Sequence, residues 1–440
     1  MAKAYFPEVS KTIAYEGPQS KNPLAYKWYN PDQVVAGKTM KEHFRFAIAY
    51  WHTYKANGTD MFGPAAWNRP WNTGNAIKIA QNALDANFEF VQKLGLEYYC
   101  FHDRDIAPEG NTIAESRKNL QAIIELARKK QDETGIKLLW GTANLFSNPR
   151  YTHGAGTNPD FNVFAYAAAQ LKDAIDATAY LGGENYVFWG GREGYETLLN
   201  TRYKQETSQL AALLRLAVEY KKKIGFKGQF LIEPKPKEPT KHQYDFDSAT
   251  VIAFLKSHGL DKDFKLNIEA NHATLAGHTF EHELTVAAAD GKLGSIDANA
   301  GDVLLGWDTD QFPVDIYSTT KAMLVVLENG GIAPGGFNFD AKCRRGSFDT
   351  LDLFYAHIGG IDAFARGLLV ADKLIKDKAL ASIVDERYAT WKDDLAKKVL
   401  SKKATLEEVA EYAEEKGEPA RKSGRQELLE IIVNDYLLAQ

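Results

Sequence analysis

Residues 98–105 read Tyr98-Tyr99-Cys100-Phe101-His102-Asp103-Arg104-Asp105: four apolar or aromatic residues in a row, then an abrupt polar cluster. A run that is apolar at every position suits a strand covered on both faces, as in a parallel sheet, better than a strand with one wet side. Helical periodicity flanks it on both sides, over Ala76–Leu94 and Thr112–Thr134. The same unit recurs from about residue 43 to residue 341. The other seven runs are Phe46–Tyr50, Lys137–Trp140, Tyr186–Trp189, Phe230–Ile232, Lys265–Ile268, Leu293–Ile296 and Gly336–Phe339. The further helical segments are Asp160–Leu181, Thr197–Ile224, Ser248–Gly259, Thr279–Ala289 and Ile316–Glu328. Asn111 is a capping residue before one of them, and Gly95, Gly135 and Gly225 close others.

Eight strands alternating with helices build either an open doubly wound sheet or a closed barrel. No Gly-x-Gly-x-x-Gly follows the first run, and no second hydrophobic series marks an independent domain. The fold predicted is therefore α/β, a (β/α)8 TIM barrel over residues 43–347. Residues 1–42, with Pro18, Pro23 and Pro31, form an irregular N-terminal extension. Residues 348–440 form a C-terminal helical arm, because segments such as Leu380–Leu400 and Thr405–Lys416 are too polar for a core of their own. The arm is expected to lie over the barrel or over a neighbouring subunit.

Composition narrows the function classes. By length alone 440 residues suggest two or three domains, and 45% apolar with 25% charged residues is the balance of a globular chain. With 53 Lys+Arg against 58 Asp+Glu the net charge is −5, which argues against a nucleic-acid partner. No run of about 18 apolar residues is apparent, so no membrane span is expected. The opening residues, Met1 to Gly17, lack an apolar core and read as mature protein rather than a signal peptide. Cys100 and Cys343 fall in strand or strand-end segments and read as two buried free thiols. The compartment expected is the cytoplasm.

The polar residues just after each apolar run carry the chemistry. His102 and Asp105 come after the second run, Thr142 and Asn144 after the third, Glu233 and Lys235 after the fifth, Glu269 and His272 after the sixth, and Asp297 after the seventh. Asp308 and Asp310 come soon afterwards, and Asp340 ends the eighth. In a parallel barrel all of these gather at the C-terminal rim, where barrel active sites are built. Each alone is an ordinary helix cap or loop carboxylate. Together, the six carboxylates of Glu233, Glu269, Asp297, Asp308, Asp310 and Asp340 in one small volume cannot all stay ionised without cations. Two divalent ions and the Lys235 cation offset all but one of those charges. Oxygen donors with a single imidazole suit Mg²⁺ or Mn²⁺, with Co²⁺ also suitable, better than zinc. His102-x-x-Asp105 fits an imidazole oriented by a carboxylate and equally fits a surface turn. Trp51, Phe62, Trp140, Phe146 and Trp189 near the same rim fit core packing or the wall of a sugar cleft.

Seven stretches resemble the xylose isomerases, in their longer class with an N-terminal extension. They are Tyr99–Asp103, Trp140–Asn144, Asn185–Gly194, Leu231–Pro239, Asn267–His272, Gly306–Phe312 and Phe337–Lys342. The resemblance spans essentially the whole chain. It implies a homotetramer acting on a small sugar, D-xylose to D-xylulose and also D-glucose to D-fructose, by a metal-assisted 1,2-hydride shift after ring opening. It implies Glu233, Glu269, Asp297 and Asp340 as ligands of one divalent ion, Mg²⁺ foremost, and Glu269, His272, Asp308 and Asp310 as ligands of a second. It further implies His102, oriented by Asp105, in ring opening, and Lys235 on the C1 oxygen. Trp51, Trp140, Thr142, Val187 and Trp189 would line the sugar pocket, and Phe62 would reach a neighbouring subunit's site. The alternatives are a one-metal sugar epimerase, a barrel metal nuclease, and a metal-dependent sugar-binding protein without turnover.

Overall fold

The computed structural model describes residues 4–439. Eight parallel strands close into a barrel: β1 (Ala47–Ala49), β2 (Tyr98–His102), β3 (Lys137–Thr142), β4 (Asn185–Trp189), β5 (Gln229–Glu233), β6 (Phe264–Glu269), β7 (Leu293–Asp297) and β8 (Phe337–Phe339). Closure is made by β8 on β1, with Asn338 opposite Ala47 and Phe339 opposite Ile48. Each strand is followed by a major helix: α1 (Ala76–Leu94), α2 (Ile113–Thr134), α3 (Phe161–Tyr180), α4 (Tyr203–Ile224), α5 (Ser248–Ser257), α6 (Phe280–Ala289), α7 (Ile316–Glu328) and α8 (Thr350–Lys376).

Strand alternation explains why the apolar runs are continuous and why they end as they do. On β2, Tyr99 and Phe101 join the cluster under the helices, while Tyr98 and Cys100 face the barrel interior with Trp140, Val187 and Leu231. Burying side chains of this size stabilises the fold by roughly 1.5–3 kcal/mol each. The next inward position on β2 is His102, on β4 it is Trp189, and on β5 it is Glu233. On β3 the register shifts by one residue opposite Tyr99 and Cys100, and this bulge keeps both Leu139 and Trp140 inside. The register then sets His102 opposite Thr142, Trp189 opposite Glu233, and Glu269 opposite Asp297. Polar residues at the last inward position of several strands thus stand level around one mouth.

Several boundaries differ from those the sequence predicts. The cap of α2 is Thr112, whose hydroxyl accepts from Glu115 N, whereas Asn111 N–H donates to the Glu115 carboxylate. The fourth helix begins at Tyr203, not Thr197, because Thr197 and Thr201 satisfy nearby backbone groups in a turn instead. Gly95, Gly135 and Gly225 do end helices, each in the left-handed conformation.

The largest difference lies beyond residue 347. Helix α8 falls in the stretch expected to be an arm over the barrel or a neighbouring subunit; it is mostly buried and packs on α7 as the eighth barrel helix, and the mostly exposed helices start after Lys376. It is also long and apolar enough to span a membrane, with mean hydropathy 1.2, but 72% of the apolar window is buried inside the protein. Asp362 and Arg366 interrupt the run and hide it from a count of consecutive apolar residues. Beyond it, α9 (Ala381–Arg387), α10 (Asp394–Leu400) and α11 (Leu406–Lys416) bury no side chain, and α12 (Gln426–Leu438) buries Val433 against Val370 and Leu374.

The N-terminal extension is largely irregular but firmly attached. Phe6 packs against Trp71, Phe90 and Phe354, and the Asp362 carboxylate accepts the backbone N–H groups of Lys27, Trp28 and Tyr29. Both cysteines are buried and free.

Candidate active site

The mouth encloses a cavity of 190 Å³ lined by Trp51, Trp140, Val187 and Trp189 together with Glu233, Glu269, His272, Asp308, Asp310 and Asp340. Ligating atoms of Glu233, Glu269, Asp297 and Asp340 lie within 4.8 Å of one another. The same holds for Glu269, Asp308 and Asp310, and for Glu233, Glu269 and His272. Glu269 belongs to all three groups. His272 Nε2 is 3.2 Å from Glu269 and 3.6 Å from Asp308, while its buried Nδ1 makes no hydrogen bond and lies 3.5 Å from Glu233. Oxygen donors packed this closely, with one unsatisfied imidazole nitrogen among them, fit divalent cations.

The charges are managed unevenly. Burial, followed by repulsion from Asp297 and Asp340, pushes the Glu233 carboxyl well up. Burial and then Asp308 do the same to Glu269. Asp297, fully buried, rises to about 8 for want of water and through its neighbour Asp340. Asp308 goes the other way: burial opposes its charge, but the Lys235 ammonium 2.5 Å away and the His272 imidazole together outweigh burial and hold it well below the usual range. Proximity in sequence suggests that Lys235 favours the charged form of Glu233. It reaches across to Asp308 instead and rests 5.2 Å over the Trp189 ring.

Nor is Lys235 the lone cation that the sequence suggests. Lys342 Nζ donates to Asp310 at 3.0 Å. His52, which follows Trp51 in a single π-helical turn after β1, lies 2.7 Å from Asp340 and 3.3 Å from Asp310. Burial disfavours its charge, yet the two carboxylates prevail and raise it to about 9. Trp51 Nε1 donates to the same Asp340 oxygen at 2.9 Å. Asparagines also escape sequence reasoning. Asn267 donates to both Glu233 and Asp297, Asn338 to Asp297, Asn299 to Glu269, and Asn271 to Asp308. Their strand-end positions beside the carboxylates are the one signal that could have found them.

His102 Nδ1 is 2.8 Å from Asp105, with Trp51 and Phe146 against the ring. The motif is a short helix, Asp103–Ile106, at the mouth rather than a surface turn. Thr142 donates to Val187 O at 2.6 Å, and Phe146 meets Trp189 edge to face at 4.4 Å. Phe62 stands apart from this cavity, 88% exposed.

A relative from Xanthomonas campestris pv. campestris, called xylose isomerase 2, is 60% identical over 437 residues, covering 99% of this chain and 98% of its own. The chain belongs to the xylose isomerase family. Xylose isomerases of Thermoanaerobacterium thermosaccharolyticum and Geobacillus kaustophilus are 58% and 56% identical to it, each over 99% of this chain and at least 98% of their own. The profile described as a xylose isomerase-like TIM barrel matches residues 81–311, and one described as a XylA2 C-terminal domain matches residues 384–437. A solved structure of a candidate xylose isomerase from Rhodospirillum rubrum shares the barrel at 14% identity. It covers 73% of this chain and 98% of that one, with a TM-score of 0.51. In this xylose isomerase family member, the acidic cluster and the tryptophans line one cavity at the mouth, where Trp51 bonds to Asp340.

Proposed function

We propose that this chain is an aldose–ketose isomerase that interconverts D-xylose and D-xylulose, and also D-glucose and D-fructose. The observation that carries the reading is Glu269, shared by two carboxylate groups that line one small cavity together with three tryptophans. The reading assigns two divalent ions to each subunit, Mg²⁺ by preference and Mn²⁺ or Co²⁺ in its place. Glu233, Glu269, Asp297 and Asp340 would hold one, and Glu269, His272, Asp308 and Asp310 the other. Such ions, when bound, supply Lewis-acid polarisation of the sugar O1 and O2 oxygens.

The chain's own groups do the rest. His102 keeps one ring nitrogen against Asp105, which leaves the other to exchange a proton with the cyclic sugar as its ring opens. Lys235 donates to the C1 oxygen while Asp308 holds its ammonium in position. Trp51, Trp140 and Trp189 offer rings to the sugar's C–H bonds and, with Val187 and Thr142, keep water out. The C2 hydrogen moves with its electron pair to C1, O2 loses a proton and O1 gains one, so the step balances with no outside reductant.

The same reading includes a homotetramer in the cytoplasm. Leu406 and Leu438 on the arm are each 82% exposed, which supports a neighbouring subunit as their cover, and the exposure of Phe62 supports its reaching a partner's site. Two buried free thiols support a reducing compartment. The test is an assay on xylose deuterated at C2, after chelator stripping and reloading with Mg²⁺, Mn²⁺ or Co²⁺, with products read by NMR. Deuterium retained at C1 of xylulose is the expected result. Loss to solvent would replace hydride transfer with a proton route, and no product with any ion would overturn the reading.

A further inference from the structure

Among the described residues, one group of histidines and carboxylates outside the barrel mouth is close enough to share an ion: His278, His282 and Glu283. His278 lies just before Thr279, the cap of α6, and His282 in the first turn of that helix, with ring centroids 4.6 Å apart. His278 Nε2 lies 3.2 Å from Asp247 Oδ2 and 4.0 Å from Glu283 Oε1, and His282 Nε2 lies 4.0 Å from the same Glu283 oxygen. We propose that His278, His282 and Glu283, with Asp247 beside His278, form a separate, structural metal site, for a transition-metal dication of which zinc is the best match.

Tetrahedral zinc with bonds near 2.0–2.1 Å sets its donors about 3.3 Å apart. The 4.0 Å separations of Glu283 from His278 and His282 reach that with shifts under an ångström in two imidazoles that are partly exposed. The carboxylates are already anchored. Glu283 Oε2 accepts from Ser248 N at 2.7 Å, and Asp247 Oδ1 accepts from Thr250 N at 2.7 Å. Each therefore holds one oxygen on the backbone at the N-terminus of α5 and turns the other toward the histidines, the arrangement that orients ligands in metal sites. Two carboxylates and two neutral imidazoles offset a dication in formal charge. Two nitrogen donors distinguish this cluster from the oxygen-dominated mouth and favour zinc over magnesium. A bound ion would tie the start of α5 to the start of α6, joining two consecutive β/α units from outside.

The test counts metal rather than turnover, so it is independent of the sugar chemistry. Wild-type protein and the His278→Ala/His282→Ala variant are stripped with chelator, dialysed against excess Mg²⁺ with micromolar zinc, and analysed for zinc per chain. The expected result is one zinc fewer per chain in the variant, with a zinc-dependent rise in Tm in the wild type that the variant lacks. His282→Gln alone, at a half-exposed position, should weaken zinc binding tenfold or more. Equal zinc counts in wild type and double variant, or equal zinc-dependent shifts in Tm, would overturn the site and leave His278 as an ion-pair partner of Asp247 only.

Discussion

His52 Nε2 sits 2.7 Å from Asp340 and 3.3 Å from Asp310, so a single imidazole joins carboxylates assigned to the two different ions. No motif announces this residue. Removing it leaves Asp340 with the Trp51 indole and Asp310 with Lys342 and Asn299. Outer partners of this kind typically carry 10- to 100-fold in metal affinity. His52→Ala should raise the Mg²⁺ concentration for half-maximal activity by about that factor, measured by titrating stripped enzyme. An unchanged titration would make His52 a bystander.

Glu269→Ala should release both ions, because its carboxylate is common to both groups. Metal content should fall from two per chain toward none, and xylose turnover by about a thousandfold or more. A variant with two ions and near-normal turnover would undo the ligand assignment.

Lys235→Met removes the ammonium that faces Asp308 at 2.5 Å and lies over Trp189. A fall in kcat of about 10²–10³ is expected, the size seen when a donor to a developing oxyanion is lost. KM should change much less. A loss confined to KM would make Lys235 a binding group only.

His102→Asn should impair use of cyclic xylose more than use of a substrate held in open-chain form, since the His102–Asp105 pair is assigned to ring opening. Steady-state rates on the two substrates decide it. Equal impairment of both would count against the assignment.

Acid stability offers a test away from the mouth. His357 is enclosed by Phe90, Phe312 and Phe339, and burial lowers it to about 4 although its Nδ1 lies 2.7 Å from Leu353 O. Its folded value is below its unfolded one, so the unfolded chain takes the proton first and stability is lost as pH falls from about 6.5 toward 4. The loss is of order 3 kcal/mol. His357→Leu should flatten that part of the Tm-against-pH curve, and a curve parallel to the wild type would show that His357 does not titrate there.

Much of this is legible in the sequence, for a local reason. A parallel barrel strand buries both faces, so it is written as an unbroken apolar run. The alternation that sends Tyr98 and Cys100 inward delivers His102 to the mouth, and the same period delivers Trp189 and Glu233. The polar residue after each run is therefore readable without knowing which strands are neighbours. The eight strands, most helices and the carboxylates that crowd together emerge from spacing of this kind.

Only the tertiary structure decided which charge stands beside which. Lys235 lies two residues from Glu233 in the chain, yet it pairs with Asp308, 73 residues on. Trp51 and Asp340 meet across 289 residues because β8 closes on β1. The burial of α8 is likewise hidden, since Asp362 makes a helix look polar until its carboxylate is seen to hold the backbone of Lys27, Trp28 and Tyr29. Periodicity along a chain reports which face a residue takes. The energy of a charge depends on partners and on exclusion of water, and both are set by chain closure between residues far apart in sequence.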